Sequence, residues 1–218
     1  MAKRTIITTI IFASIFLLPR IIHAQNLSFG VNVGTSNPSS IYWKSGFAVG
    51  GNVFYSFSPL ISVGAHIAYN RYAPDVEERM SGTWVPGTVT NWSNFASSGG
   101  MTIIEIVSSF RITAPLTPKK SVNFFGQLGA GLFLISAKGW VKADYTSTTG
   151  YGWVKTTIDD DSINNLGLNL GGGLAIKITK SIHFEILPLY HIMFRENKPK
   201  NYFSVSVCTV INLPTGHS

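Results

Sequence analysis

The run from Asn165 to Phe194 constrains this chain more than any other stretch. Its first arm puts Leu166, Leu168, Leu170, Leu174, Ile176 and Ile178 on one face. Gly167, Asn169, Gly171, Gly173, Ala175 and Lys177 fall on the other. After the break Thr179-Lys180-Ser181, Ile182, Phe184, Ile186, Tyr190, Ile192 and Phe194 lie opposite His183, Glu185, Leu187, Leu189, His191 and Met193. Side chains on a strand point alternately to its two faces, so the hairpin has one apolar wall and one small, polar or charged wall. In water the apolar wall would face a core; in a bilayer it would face hydrocarbon.

The first residues argue for export. Lys3 and Arg4 precede an apolar run from Ile6 to Leu18, followed by Pro19-Arg20 and Ala24. This is the layout of a signal peptide over residues 1–24, cleaved between Ala24 and Gln25, and the run is shorter than the roughly 20 apolar residues of a spanning helix. Residues 25–218 then form a single domain. The leader holds 3 of the 17 basic residues and none of the 10 acidic ones, so its loss takes the net charge from +7 to 14 − 10 = +4. That excess is scattered, which argues against a nucleic-acid surface. Cys208 stands alone, so no internal disulfide is expected, and it reads as an inward-facing filler. Charged residues are 12% of the chain, low for a soluble domain of this size.

The same alternation recurs in eight segments. Leu27–Gly34 is followed by Phe47–Phe57 and Ile61–Asn70, then by Thr102–Thr113 and Val122–Leu134. The opening pair and a final strand, Phe203–Leu213, complete the set. Short turns follow the second, fourth and sixth segments. The stretches 73–100 and 138–164 are long and carry no sustained period, although Trp140–Tyr145 and Tyr151–Ile158 flank Ser147-Thr148-Thr149-Gly150 as if continuing a hairpin. Short turns alternating with long connections predict an all-β, eight-stranded antiparallel up-and-down transmembrane β-barrel with its long loops outside the cell.

Within such a barrel the parity assigns the walls. Gly30, Gly34, Gly46, Gly50, Gly64, Gly129, Gly131, Gly167, Gly171 and Gly173 fall inward, and so do Glu105, Arg111, Lys177, Glu185, His66, His183, His191 and Gln127. Unpaired buried ions cost several kcal/mol, so these side chains are expected to form a polar network across the lumen, with Arg111, Lys177 and Glu185 near the periplasmic end. Tyr55 and Phe57 are expected at the inner interface, and Trp43, Tyr69, Tyr190 and Phe194 at the outer one.

Strand number, parity and loop asymmetry together resemble the small outer-membrane barrels of the OmpA transmembrane-domain and OmpX type, the outer membrane protein beta-barrel domain group. The resemblance covers nearly all of residues 25–218 and implies a place in the cell outer membrane. Two features depart from it. Such barrels end in an aromatic residue, whereas this chain continues past Leu213 into Pro-Thr-Gly-His-Ser. Pro188 interrupts the seventh strand and predicts a bulge or local distortion there.

No catalytic, cofactor-binding or metal site is expected. His183 and His191 share a strand face but lie about 26 Å apart at roughly 3.3 Å per residue, too far to act together. His66 beside Ser62 or Ser109 is a pairing that any Ser-rich barrel offers. Gly171-Gly172-Gly173 lies within a strand and is no phosphate loop, and Asp159-Asp160-Asp161 lacks calcium-loop spacing and reads as a solvated loop. The loop aromatics Trp84, Trp92, Trp140, Tyr145, Tyr151 and Trp153 either anchor an extracellular partner or pack together and against lipopolysaccharide. The reading is therefore a non-enzymatic, monomeric outer-membrane barrel with a side-chain-filled lumen, in contact with membrane lipid and lipopolysaccharide and presenting surface loops. A lipid-modifying barrel enzyme and a soluble secreted lipocalin-like calyx are the alternatives.

Overall fold

The computed structural model describes residues 26–118, 121–194 and 200–214. The expected leader, the Glu196–Pro199 loop and the tail after Pro214 lie outside them. Among the described residues the strands are β1 (Asn26–Pro38), β2 (Gly46–Ser56), β3 (Ile61–Tyr72), β4 (Val89–Pro115), β5 (Val122–Ser147), β6 (Gly150–Lys177), β7 (Ile182–Met193) and β8 (Lys200–Pro214), with one short helix, α1 (Val76–Ser81), between β3 and β4. Each strand pairs with its sequence neighbour, and β1 returns to β8 from Asn26↔Pro214 to Pro38↔Tyr202, closing the ring. Closure leaves the ring no edge, so its backbone groups can find partners within the sheet.

The three short turns share one device, a hydroxyl that satisfies the backbone amides of the chain reversal. Ser58 Oγ accepts from the amides of Leu60 and Ile61 at 3.2 and 3.1 Å. Thr117 Oγ1 accepts from Ser121 and Val122 at 3.0 and 3.3 Å, and Thr179 Oγ1 from Ser181 and Ile182 at 3.2 and 3.0 Å.

The walls follow the alternation. Phe29, Val31, Ile67, Phe110, Leu128, Leu170, Ile186 and Val207 all stand exposed on the outside, while Phe54, Val107, Phe125, Phe133 and Tyr202 are buried inside. A continuous belt of exposed leucine, isoleucine, valine and phenylalanine is stable only against hydrocarbon. It is the reverse of what a water-soluble calyx needs. Inner glycines let neighbouring strands and side chains close in: a Cβ on Gly131 would run into the Ile106 carbonyl and the Val107 Cα.

Several details differ from the sequence expectation. Stretch 73–100 is not one irregular loop, since α1 occupies its first part and β4 already begins at Val89. The β5–β6 connection is the tightest outer turn, with both strands running on to Ser147 and Gly150. Asp159–Asp161 therefore belong to β6, next to a register shift opposite Ala137–Gly139, and not to a solvated loop. Of the two outcomes expected at Pro188, the structure has the local distortion and not the bulge. The pairing of Pro188 with Val205 of β8 is kept, and the ladder to β6 lapses over Gly172–Gly173 and resumes in the same register at Gly171↔Leu189. A proline lacks the amide that would close the missing rung, so one side of the strand loses a bond without a shift in register.

The inner and outer parities predict opposite tolerance at two glycines of one strand. Gly131→Val should abolish the folded, heat-modifiable gel species, whereas Gly126→Val, where a Cβ meets nothing within 4 Å, should preserve it. Equal behaviour of the two variants would contradict the assigned walls.

Candidate functional site

The lumen is organised in layers, and the polar residues form two separate clusters instead of one network. At the periplasmic end, Arg111 Nη1 donates to Glu185 Oε1 at 2.6 Å, and both side chains are almost fully buried. The Arg111 guanidinium lies between the rings of Phe54 and Phe125, 4.1 Å from each centroid. Its Nε and Nη2 donate to Gln127 Oε1 at 3.3 and 3.0 Å. His183 Nε2 stands 3.0 Å from the same Glu185 oxygen, and its Nδ1 meets Asn212 Nδ2 at 3.3 Å. The expected partner Lys177 does not join. It is exposed at the rim of a cavity of about 360 Å³ that opens below this cluster.

The second cluster surrounds Glu105, 1% exposed. Asn70 Nδ2 donates to Glu105 Oε1 at 2.6 Å. Glu105 Oε2 faces His191 Nδ1 at 3.2 Å and His66 Nε2 at 3.5 Å, contacts without hydrogen-bond alignment. His191 Nε2 meets Ser204 Oγ at 2.8 Å, and its ring stacks on Tyr202 at 4.1 Å. The pairs that Ser62 or Ser109 could offer His66 do not form, for Ser62 bonds Ser56 and Ser109 accepts from Gln127. Ser204, His191 and Glu105 instead make a hydroxyl–imidazole–carboxylate line. Ser204 is buried at 7% exposure with Tyr202 beside it, which suits filling and cross-linking the lumen. Parity alone put Asn70, Ser204 and Asn212 on the inner wall. Which of them meet depends on the stagger of the strands, and no local sequence signal carries that.

Apolar layers separate and cap these clusters. Phe125, Ala175, Leu187 and Leu189 pack together, as do Tyr72, Ile103, Val107, Phe133, Met193 and Tyr202 nearer the outer end. Above them Val76 and Met80, one helical turn apart on α1, pack on Val141, Ala143 and Ile158. Trp43 is not an interface aromatic at the start of β2. It lies in the loop before that strand, bridges to Pro74 and packs against both outer apolar clusters.

Beyond the ring, β4, β5 and β6 continue as a three-stranded blade. The β3–β4 ladder stops at Tyr72↔Met101 and the β6–β7 ladder at Gly167↔Met193, while β5 runs on to Ser147. From Phe133 to Ser147 the blade extends by about 45 Å at roughly 3.3 Å per residue. Five of the six surface aromatics lie on it, and Trp84 lies in the segment between α1 and β4. Trp92 and Tyr145 are half-buried with ring centroids 5.9 Å apart, and half-buried Trp140 lies under Lys155 Nζ at 4.8 Å. Trp84, Tyr151 and Trp153 remain exposed, at 83%, 91% and 64%. Lys142 Nζ lies 5.0 Å from the Trp153 ring. Lys142 and Lys155 face each other across the strands, and neither has a carboxylate partner among the described residues. Like charges in that position repel, and each ammonium rests over an indole of the neighbouring strand. No group of side chains suited to a metal ion occurs among the described residues.

Comparison with known proteins agrees with this architecture. The family model described as outer membrane protein beta-barrel domain matches residues 22–191. No curated protein sequence matches significantly. Among solved structures, Neisserial surface protein A is 15% identical, with 86% of this chain and 97% of that one covered at a TM-score of 0.51. A major outer membrane protein from Thermus thermophilus is 11% identical, with coverage of 86% and 99% and a TM-score of 0.46. Ail, the attachment invasion locus protein of Yersinia pestis, is 13% identical, with coverage of 86% and 99% and a TM-score of 0.43.

The buried pair gives a quantitative expectation. Glu185→Leu leaves the Arg111 charge without its carboxylate and should cost about 3–5 kcal/mol, seen as a clear fall in the temperature at which the folded gel band disappears. The double variant Arg111→Met/Glu185→Leu should recover most of that loss. Unchanged heat resistance in the single variant would show that the pair contributes nothing to the barrel.

Proposed function

We propose, for a chain that belongs to the outer membrane protein beta-barrel domain family and resides in the outer membrane, that it is a non-enzymatic anchor holding a rigid three-stranded blade at the cell surface. Its mature form is residues 25–218, released by removal of the 1–24 leader, and it works as a monomer. The observation that carries this reading is the continuation of β4, β5 and β6 past the closed ring, stiffened at its base by α1 and Trp43. A hairpin buried in its own sheet on one side and packed on a helix presents side chains in fixed positions, which lowers the ordering cost of binding.

Two parts of the blade meet different partners. The outer face, with Trp140, Lys142, Trp153 and Lys155, continues the outward parity of the lipid-facing Leu128 and Leu132 on β5 and stands beyond the apolar belt, Lys142 about 33 Å along the strand from Leu132 at roughly 3.3 Å per residue, where the sugars and phosphates of lipopolysaccharide project. Lysines beside indole rings at that height suit the phosphates and sugars of lipopolysaccharide. The tip, with exposed Tyr151, and the exposed Trp84 before β4 suit an extracellular partner. The lumen works as filler: Glu105, Arg111, Glu185, His66, His183, His191 and Gln127 cross-link the walls in two clusters, and the Ser204–His191–Glu105 line belongs to the same scaffold.

Lys142→Glu/Lys155→Glu should weaken retention of lipopolysaccharide on the purified folded protein about tenfold, with heat-modifiable mobility unchanged. Undiminished retention would remove lipopolysaccharide as the partner of this face. Ser204→Ala should leave that retention unaltered and reveal no loss of any hydrolytic activity toward lipid; a lipid hydrolysis that disappears with Ser204 would overturn the non-enzymatic reading.

A further inference from the structure

Between the blade and the outer ends of β7, β8 and β1 lies a half-open cavity of about 290 Å³. Its walls are apolar, with Trp43, Ile103, Ile135, Ala137, Ile158 and Met193 among them. Its rim carries two cations, Arg79 from α1 and Lys200 from the start of β8, and no described acidic residue lines it. Neither cation has a carboxylate partner among the described residues. Arg79 Nε donates to the Tyr42 carbonyl at 3.3 Å, and its guanidinium rests 4.5 Å from the Trp43 ring and 5.4 Å from that of Tyr42.

Arg79 is only half exposed, and burial draws its pKa below the usual guanidinium value. A partly desolvated cation held by one carbonyl and two aromatic faces is uncompensated, and the group that would compensate it is an anion. Ligand pockets of the usual kind combine an apolar body with a few placed polar groups, and this cavity has both. Its volume suits one hydrocarbon chain or a comparable apolar body and does not suit a multi-chain lipid.

We propose that this cavity binds a single-chain amphipathic carboxylate arriving from outside the cell, with the apolar tail lying between Ile135, Ala137 and Met193 and the carboxylate meeting Arg79 and Lys200. The site is distinct from the Lys142–Lys155 face of the blade and does not depend on lipopolysaccharide binding there. Trp43 gives it an intrinsic reporter at the carboxylate end, because its ring lies 4.5 Å from the Arg79 guanidinium and a bromine atom on the carbon next to the carboxylate would lie near that indole.

The test uses the folded protein in phosphatidylcholine nanodiscs, titrated with 2-bromoundecanoate while tryptophan emission is followed. The expected result is saturable quenching that Trp43→Phe removes. Arg79→Gln/Lys200→Gln should weaken it about tenfold, Arg79→Lys should largely keep it, and Ala137→Phe should abolish it by filling the tail site. The neutral 2-bromoundecanol should bind at least about tenfold more weakly than the carboxylate. Heat-modifiable mobility identifies the variants that remain folded, and Lys200→Gln alone, at an exposed position, supplies a charge variant with no packing role. Quenching that rises linearly without saturation, that is equal for the alcohol, or that persists in folded Ala137→Phe would overturn the proposal, the first by showing partition into the bilayer only.

Discussion

Hydrocarbon offers no partner to a backbone amide or carbonyl, and the rest of this structure depends on that one fact. Each unpaired group would cost several kcal/mol, so a sheet that crosses the membrane must close on itself. The β1–β8 ladder from Asn26↔Pro214 to Pro38↔Tyr202 supplies the closure. Once the ring is shut, its outside must be apolar and its narrow inside must be filled by side chains. Phe29, Leu128 and Val207 outside and Phe54, Phe125 and Phe133 inside follow from the same condition.

The filling is itself layered. An Arg–Glu pair between two phenylalanine rings and a carboxylate held by an asparagine and two histidines are each enclosed by apolar side chains. Each of these buried charges has a neighbour of opposite sign or a hydrogen-bond donor, which limits the desolvation penalty without leaving an ion alone. The same layering closes the barrel at its outer end, where Trp43 and α1 sit on the base of the blade. The base of the blade thus rests on packing that continues from the lumen. Of the cations, Lys142 and Lys155 lie on the blade beyond that seal, and Arg79 and Lys200 stand at the rim of the cavity beside it.

What the sequence made legible is what depends on period. Alternation in Leu166–Ile178 and Ile182–Phe194 reads directly as two faces, and the inward places of Glu105, Arg111, Glu185 and His191 follow from counting. Contacts between strands were not legible, because they depend on stagger: Lys177 shares the inward parity of Glu185 yet ends at the rim, and Ser204 reaches His191 from the neighbouring strand. The blade was half legible. Trp140–Ile158 alternates weakly, but Val89–Gly100 is largely polar on both faces and is held as a strand by its ladder to β5, with a register shift near Asn94, whose φ is +50°. Trp43 looks like a strand-edge aromatic until the loop bridge to Pro74 turns it inward. Family membership and the likeness to Neisserial surface protein A bear on the fold, while the roles of the blade and the cavity rest on this chain's own residues.

The inside-out arrangement is tested most directly by nitroxide labels placed singly along Asn165–Leu170 and Ser204–Ile211, in a Cys208→Ser background reconstituted into bilayers. Accessibility to dissolved oxygen should peak at positions 166, 168, 170, 205, 207 and 211 and fall at 165, 169, 204 and 206, with a period of two residues. High accessibility at the second set, or no alternation in either strand, would contradict a barrel whose apolar wall faces lipid.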